Sequence, residues 1–597
     1  MQIYRLPKQW LPDSSGLPLP LLCLEHEWPG ELPAHLFAWA AAALPGDGAG
    51  SECSGPAVLS RLVATLAVSL QCGEVDFLSA RIFVDHDRCS ATSVAFTFID
   101  EVLALDCGVA AYQVVEGTLA CGATTAAAFA AQLAQLVQEA SRNIAPGRPT
   151  DSLWQVLSEA AKRGIPVGRL AGPMMAFRLG VGARQRRVWK GFTAATSHLA
   201  TVLSTHKDVS SEYLASQGFP VPKQHRTNGP QEAVVAAGTL GYPVVVKPAS
   251  ADYGTAVSTG LMDEAAVLAA YEQAGRHGRV LVEQHVPGDD YRLTVVDGRC
   301  ISVVRRLPAH VIGNGQDTIA TLIALQYETR RAHALYRHFK PATVDDPLVV
   351  EQLVRQRLTP QDVPDDGQRV LLRSNSNVST GGWLEEVEAC AHPDNLRLAE
   401  RAAAAIGLDV AGVDLICRDI SVSWRNSEAA ICEVNPTPAF FSPDVAKRVV
   451  DYLFPAKAKN RIPLIVVVGE FSDAEPLIDQ VQGTARESGH VLGCLLGGEA
   501  VVDGLPIFHP DRPPRNQVGA LLADPQCTAA LIQLTPRMLA QQGLDAPYCD
   551  LAVFCGDERL TTVLRTSPYS VLPFATETLL HPTPGQLAAA LPRCGLA

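Results

Sequence analysis

Short apolar runs and longer amphipathic stretches alternate along most of this chain. Residues 80–84 (ARIFV), 241–248 (GYPVVVKP), 279–283 (RVLVE) and 291–296 (YRLTVV) are β-branched runs bounded by Gly, Pro and charged turns, so they predict strands. Residues 263–274 and the Ala-rich stretch 124–140 carry helical spacing instead. The run 464–469 (LIVVVG) has no polar position at all before its glycine, which is the pattern of a strand buried on both faces. Strands interleaved with helices predict an α/β multidomain protein. Proline and lysine interrupt the pattern at 453–463 (LFPAKAKNRIP), and the first α/β region ends near residue 160. The expected domains are therefore 1–160, 161–455 and 456–597. No fixed-period repeat or low-complexity tail points to a solenoid or a linker protein.

Composition narrows the function classes. A chain of 597 residues exceeds one hydrophobic core, and 47% hydrophobic against 19% charged residues supports folding rather than disorder. The net charge is -13 and the only basic block is the short Arg184-Gln185-Arg186-Arg187, so no cationic surface for a nucleic-acid partner is expected. The start, MQIYRLPKQWLPD, lacks a basic segment followed by an apolar one, and apolar runs such as 464–468 are far below spanning length. No membrane partner and a cytoplasmic location are the expectations. Fifteen cysteines without a C-x-x-C pair suit buried reduced thiols rather than a zinc site.

Several charged residues sit where apolar pattern alone would not put them. Lys247 ends the run Pro-Val-Val-Val before Pro248, and Lys207 precedes the helical stretch Ser-Glu-Tyr-Leu-Ala-Ser-Gln-Gly. A lone lysine is usually a solvated charge, but one at the end of a buried strand is placed to reach a phosphate. Residues 280–292 (VLVEQHVPGDDYR) read as strand, turn and strand, which offers Glu283 and Asp290 as acceptors for an adenine amino group or ribose hydroxyls. The bland alternative is a hairpin with solvated acids. Glu433 and Asn435 stand two apart in Ile-Cys-Glu-Val-Asn-Pro, so strand alternation puts both on one face, and Asp414 after Val-Ala-Gly-Val is the natural third oxygen ligand. Hard oxygen donors that leave room for water and phosphates suit magnesium.

The order Lys207, Lys247, Glu283, Asp290, Asp414, Glu433, Asn435 resembles the ATP-grasp fold of D-alanine ligases. Within that superfamily the stretches 180–187 (GVGARQRR), 289–293 (DDYRL), 308–315 (PAHVIGNG) and 373–382 (RSNSNVSTGG) resemble cyanophycin synthetases. The resemblance implies ATP and Mg2+ as cofactors, with Lys207, Lys247, Glu283, Val286, Asp290 and Gly254 around ATP and Asp414, Glu433 and Asn435 around the metal. It also implies that Arg292 binds phosphates with the two lysines, that Arg306 stabilises the reacting oxygens, and that Asn375, Ser379 and Gly381 lie in a loop near the acceptor carboxylate. One departure is that the lid stretch 249–257 (ASADYGTAV) keeps a single glycine where the family's loop is glycine-rich.

The family's second ATP site uses a Gly-Thr-Asn-Gly-Lys-Thr phosphate loop. The matching place here reads Gly469-Glu-Phe-Ser-Asp-Ala474, with no lysine, and Glu470 and Asp473 would repel phosphate. A vestigial Mur-ligase-like third domain is expected. The first domain's helix 62–71 (LVATLAVSLQ) likewise lacks the H-x-x-E-H metal motif of some members. The resemblance is thus to a truncated type-two cyanophycin synthetase, which polymerises β-aspartyl dipeptides, most simply β-aspartyl-arginine, onto a polymer primer as a homodimer or higher homo-oligomer. The alternatives are a ligase adding one amino acid to a peptide, and a non-catalytic partner of a full-length synthetase.

Overall fold

A computed structural model describes residues 4–596 apart from 6–8, 13–17, 28–31, 44–55, 73–79, 85–90, 171–173, 250–255, 333–335, 337–341, 456–459, 510–513, 515, 543, 545, 547 and 556–574. The chain forms two compact units, one made of Met1–Lys190 with Leu453–Ala597 and the other of Gly191–Tyr452. The second unit is the core of the domain expected over 161–455, and residues 161–190 cluster with the first unit.

Among the described residues the first unit contains an amino-terminal sheet, a later seven-stranded sheet, and the small antiparallel set Val167–Arg169, Ala176–Leu179, Arg186–Trp189. Among the described residues the amino-terminal one runs in the order Tyr4–Arg5, Pro18–Glu27, Ala91–Thr97, Ala80–Val84, with Gln9–Pro12 also on Pro18–Glu27. The strand at Ala80–Val84 has the bounds its pattern predicts. The Ala-rich helix runs Ala126–Ile144, started by Thr125, whose hydroxyl accepts from the Ala128 amide.

One described helix, Glu101–Ala120, is apolar over a longer span than the continuous runs, although Glu101, Asp106 and Glu116 interrupt it. This 20-residue helix is long and apolar enough to cross a bilayer, yet more than half of its most apolar window is buried. Its Leu103, Ala104, Cys107, Ala111 and Tyr112 join one core with Leu24, Val94 and Phe96. Its hydropathy is explained by packing inside a domain.

The later sheet of the same unit is ordered Leu505–Pro506, Glu499–Val502, Leu492–Leu496, Ala529–Leu534, Leu464–Val468, Leu551–Phe554, Glu577–Leu580. Leu464–Val468 lies between two parallel neighbours and all five of its residues are buried, as its unbroken apolar run requires. At about 1.5–3 kcal/mol per fully buried aliphatic side chain, this strand is a major contributor to the local core. It runs through Gly469 into the helix Phe471–Glu487, so a strand, turn and helix are present with Glu470 and Asp473 at the turn. A Cβ on Gly469 would lie 2.3 Å from Cys555 Sγ, which explains the glycine by packing.

The second unit carries the site. One antiparallel sheet is ordered Gln224–Thr227, Val280–Gln284, Val244–Pro248, Ser258–Leu261, backed by helices Pro230–Leu240 and Glu264–Gly275. Asp263 caps the latter helix, its carboxylate accepting from the Ala266 amide at 2.8 Å. The other main sheet is ordered Trp383–Glu386, Arg299–Leu307, Asp289–Val296, Val410–Cys417, Ala430–Asn435. In its central strand Tyr291, Leu293 and Val295 pack into the core with Leu398, Ala402 and Val413, which leaves Asp290 and Arg292 on the opposite face. A smaller pair, His310–Ile312 with Arg369–Leu371, packs with helices Ile319–Ala332 and Pro347–Arg355.

Of the described cysteines, Cys107, Cys417, Cys494, Cys527 and Cys549 are buried, Cys121 and Cys390 are exposed and the rest are intermediate, and all are free thiols. Burial pushes the half-buried Cys300 thiol up to about 12. The side chains of Cys23, Cys53 and Cys72 lie outside the description.

Candidate active site

Register brings the predicted charges together. Antiparallel pairing sets Arg292 opposite Asp414, Asp290 opposite Arg306, and Asp414 opposite Glu433. Directly paired residues share a sheet face, so these five side chains form one charged patch on the sheet. Arg292 and Asp414 are 8% and 7% exposed, and a buried charge of that kind has to be paired. The Asp414 carboxylate meets that need with two arginines: it accepts from Arg292 Nε and, at 3.2 Å, from Arg292 Nη2. Arg306 Nη2 bridges Asp290 Oδ1 at 2.6 Å and Asp414 Oδ2 at 3.0 Å. Burial opposes ionisation of Asp414, but Arg292 and Arg306 outweigh it and hold the carboxyl below its ordinary range. For Arg306 the same contest, burial against Asp414 and Asp290, ends with the guanidinium held more firmly protonated.

The two lysines reach this centre from other elements. Lys207 opens the helix Lys207–Ser216 and its Nζ lies 3.3 Å from Glu433 Oε1. Lys247, on the strand Val244–Pro248, pairs with Glu283 at 2.7 Å across the register Lys247↔Leu281 of the neighbouring strand. Burial works against the charge on Lys247, yet Glu283, Cys432 and Glu433 around it raise its pKa above the ordinary value. Asn435, with its amide nitrogen toward Glu433, donates to Glu433 Oε1 at 3.1 Å and accepts from Arg292 Nη2 at 3.2 Å.

The donor chemistry of Asp414, Glu433 and Asn435 fits a hard divalent cation, being oxygen-only and gathered on adjacent strands. The set has two carboxylates and an amide, and no group of three or more His, Cys, Asp or Glu arranged to hold a metal occurs among the described residues. Asp414 is also neutralised by Arg292 and Arg306.

Other predicted positions separate from this centre to different degrees. Glu283 and Asp290 do not share a hairpin: their strands belong to different sheets, and Glu283 faces Lys247 while Asp290 faces Arg306. The link between them contains half-buried Val286 and Gly288, whose φ of 143° and close approach to the Cys417 carbonyl carbon, 2.3 Å from a hypothetical Cβ, admit only glycine. Asn375 is exposed and accepts from Thr380 Oγ1 at 2.6 Å, Ser379 is half-buried, and Gly381 is buried with φ 101°. Gly254 lies outside the described residues.

Two participants escaped the sequence reading. Ser376 donates from Oγ to Asp290 Oδ2 at 2.9 Å, tying the 375–382 loop to the charged patch. Its place in the Ser/Asn-rich stretch was the available signal. Arg330 grips the other end of that loop, and its setting in Glu328-Thr-Arg-Arg331 reads as a solvated helix face.

The chain is 28% identical over 475 residues to the cyanophycin synthetase of Crocosphaera subtropica, covering 77% of this chain and 54% of that protein. It is 30% identical over 442 residues to the cyanophycin synthetase of Trichormus variabilis, covering 71% of this chain and 48% of that protein. A third relative, the glutathione biosynthesis bifunctional protein GshAB of Streptococcus thermophilus, is 31% identical over 289 residues, 44% of this chain and 37% of that protein. No protein-family model matches. The chain spans about half the length of the cyanophycin synthetases it matches. Over roughly three quarters of its own length, the chain is similar to cyanophycin synthetases.

Proposed function

We propose that residues 191–452 carry the active site of an ATP-dependent carboxylate–amine ligase that polymerises β-aspartyl dipeptides, with β-aspartyl-arginine the leading candidate. The observation that carries this is the convergence of Lys207, Lys247, Arg292 and Arg306 with Asp414, Glu433 and Asn435, a charge inventory suited to a nucleotide triphosphate and its metal. A single amide-forming site favours preformed dipeptides over alternating additions, because Glu470 and Asp473 stand where a second phosphate loop would need backbone amides and a lysine.

In the first half-reaction an oxygen of the polymer's terminal α-carboxylate attacks the γ-phosphorus, the bond to the β-phosphate oxygen breaks, and ADP leaves. In the second, the dipeptide amine attacks the acyl carbon, the C–O bond to phosphate breaks, and the amine proton passes to solvent. Lys207 and Lys247 hold phosphate oxygens, while Arg292 and Arg306 stabilise charge on the transferring group. Such preorganised cations are effective because their side chains are already largely shielded from water. Magnesium held by Asp414, Glu433 and Asn435 supplies further neutralisation of phosphate charge when bound. The match to GshAB favours a second reading, a ligase adding one amino acid to a peptide.

The test mixes purified protein with magnesium, ATP, a short β-aspartyl-arginine polymer primer and either β-aspartyl-arginine or free aspartate plus arginine. ADP release with growth by whole dipeptides is the expected result. A single mass increment would favour the second reading; growth from free amino acids would overturn the one-site argument, and no ADP with any acceptor would overturn the ligase assignment.

A further inference from the structure

Arg330 is 2% exposed, yet no carboxylate pairs with it among the described residues. Its guanidinium donates to three backbone carbonyls, Nη1 to Gly381 at 3.0 Å and Gly382 at 2.9 Å, and Nη2 to Val378 at 3.4 Å. Two rings flank it, Tyr336 at 4.5 Å and Trp383 at 4.8 Å from the guanidinium carbon to the ring centroids. Those rings meet edge to face at 4.9 Å and 70°, and the Tyr336 hydroxyl accepts from the Leu384 amide at 3.1 Å, so the cage is anchored to the sheet strand Trp383–Glu386. Burial lowers the affinity of Arg330 for its proton, with Tyr336 opposing the effect. A desolvated cation that accepts this cost in exchange for carbonyl and ring contacts is an organiser of backbone.

The backbone it organises ends at the charged patch. Val378–Thr380 is a single helical turn closed by the Gly381 amide, which donates to the Val378 carbonyl at 3.1 Å; Arg330 adds a second donor to that carbonyl and reaches the Gly381 and Gly382 carbonyls just past the turn. Gly382 is packed so closely that a Cβ would lie 2.6 Å from the Ser376 carbonyl and 2.8 Å from that of Asn377. The loop therefore folds back on itself, and Ser376 at its other end bonds Asp290, which holds Arg306, which holds Asp414.

We infer that Arg330 is a positioning residue for the ligase reaction, holding the 375–382 loop so that Ser376 and Asp290 keep Arg306 aimed at the reacting groups. This rests on the function proposed above. Arg330→Lys keeps the charge but loses the planar fork that binds several carbonyls and stacks between rings. Misplacement of a catalytic group by about 1 Å can cost on the order of 100-fold, so kcat with the dipeptide should fall about tenfold to 100-fold. Binding of a non-hydrolysable ATP analogue, centred on Lys247 and Glu283, should be unchanged, and amide hydrogen exchange at 375–382 should quicken. A merely structural role would instead weaken analogue binding and lower Tm along with kcat. Ser376→Ala breaks the next link with Arg330 in place and should reproduce the kcat loss; it decides the matter alone if Arg330→Lys does not fold. No ADP release by the unsubstituted protein would overturn the ligase reading and this inference with it. An active unsubstituted protein whose kcat and analogue binding survive both substitutions, or fall together in both, would overturn this inference alone.

Discussion

Replacing Asp414 by asparagine isolates what its charge does, because the two side chains have nearly the same shape. In the native protein this buried carboxylate accepts from Arg292 through both its oxygens and from Arg306 at 3.0 Å. In Asp414→Asn, Arg306 keeps Asp290 at 2.6 Å, but Arg292 loses its carboxylate and retains the Asn435 amide oxygen at 3.2 Å. Removing one partner of a buried ion pair costs about 3–5 kcal/mol, and these surviving contacts argue for the lower end, about 3 kcal/mol. For a unit of this size each kcal/mol corresponds to roughly 2–4 °C, so Tm should fall by roughly 6–12 °C. Differential scanning fluorimetry of nucleotide-free protein measures this, and ADP release should be lost in parallel. Arg292→Met and the double variant complete a cycle, in which the double substitution should cost less than the sum by about 1–3 kcal/mol. A Tm for Asp414→Asn equal to that of the native protein, or a cycle that closes to zero, would refute the reasoning that this carboxylate neutralises buried arginines.

Lys247→Met should weaken ATP-analogue binding by about 1.5–3 kcal/mol, the scale of a charge-assisted hydrogen bond, as read by calorimetry. Gly382→Ala sets a Cβ against backbone carbonyls at 2.6, 2.8 and 2.9 Å, so it should destabilise by about 1–3 kcal/mol in thermal melts. His310 is buried, and burial lowers its pKa despite the Pro308 carbonyl 2.8 Å from Nδ1. Below about pH 6.5 the unfolded chain then binds a proton that the folded one resists, so stability falls on acidification, and His310→Gln should flatten the decline of Tm through that range. Removing magnesium with a chelator should abolish ADP release while leaving the Tm of nucleotide-free protein unchanged, because Arg292 and Arg306 already neutralise Asp414.

Legibility in the sequence followed the kind of burial involved. An apolar run has to be buried wherever it lands, so 464–468 announced its strand, and alternation put Glu433 and Asn435 on one face before any partner was known. Lys247 was conspicuous for the same reason, as a charge ending a run that could only be internal. The choice of partner for each charge was not available from local pattern, because it depends on register between distant strands. Asp414 lies 122 residues from Arg292, and a slip of one residue between their strands would turn one of them toward the core. The strand, turn and strand over 280–292 are present, but the bland alternative of a hairpin is not, because Gly288 lets the chain cross close to the Cys417 backbone into another sheet. Arg330 is the extreme case. Its helix offers a polar surface pattern, and only closure of the 375–382 loop and the Trp383 strand over it converts a solvated arginine into a buried one. Charges buried by such closure are where function has to be sought by structure, since the same three-dimensional contacts that hide them from water also hide them from local sequence periodicity.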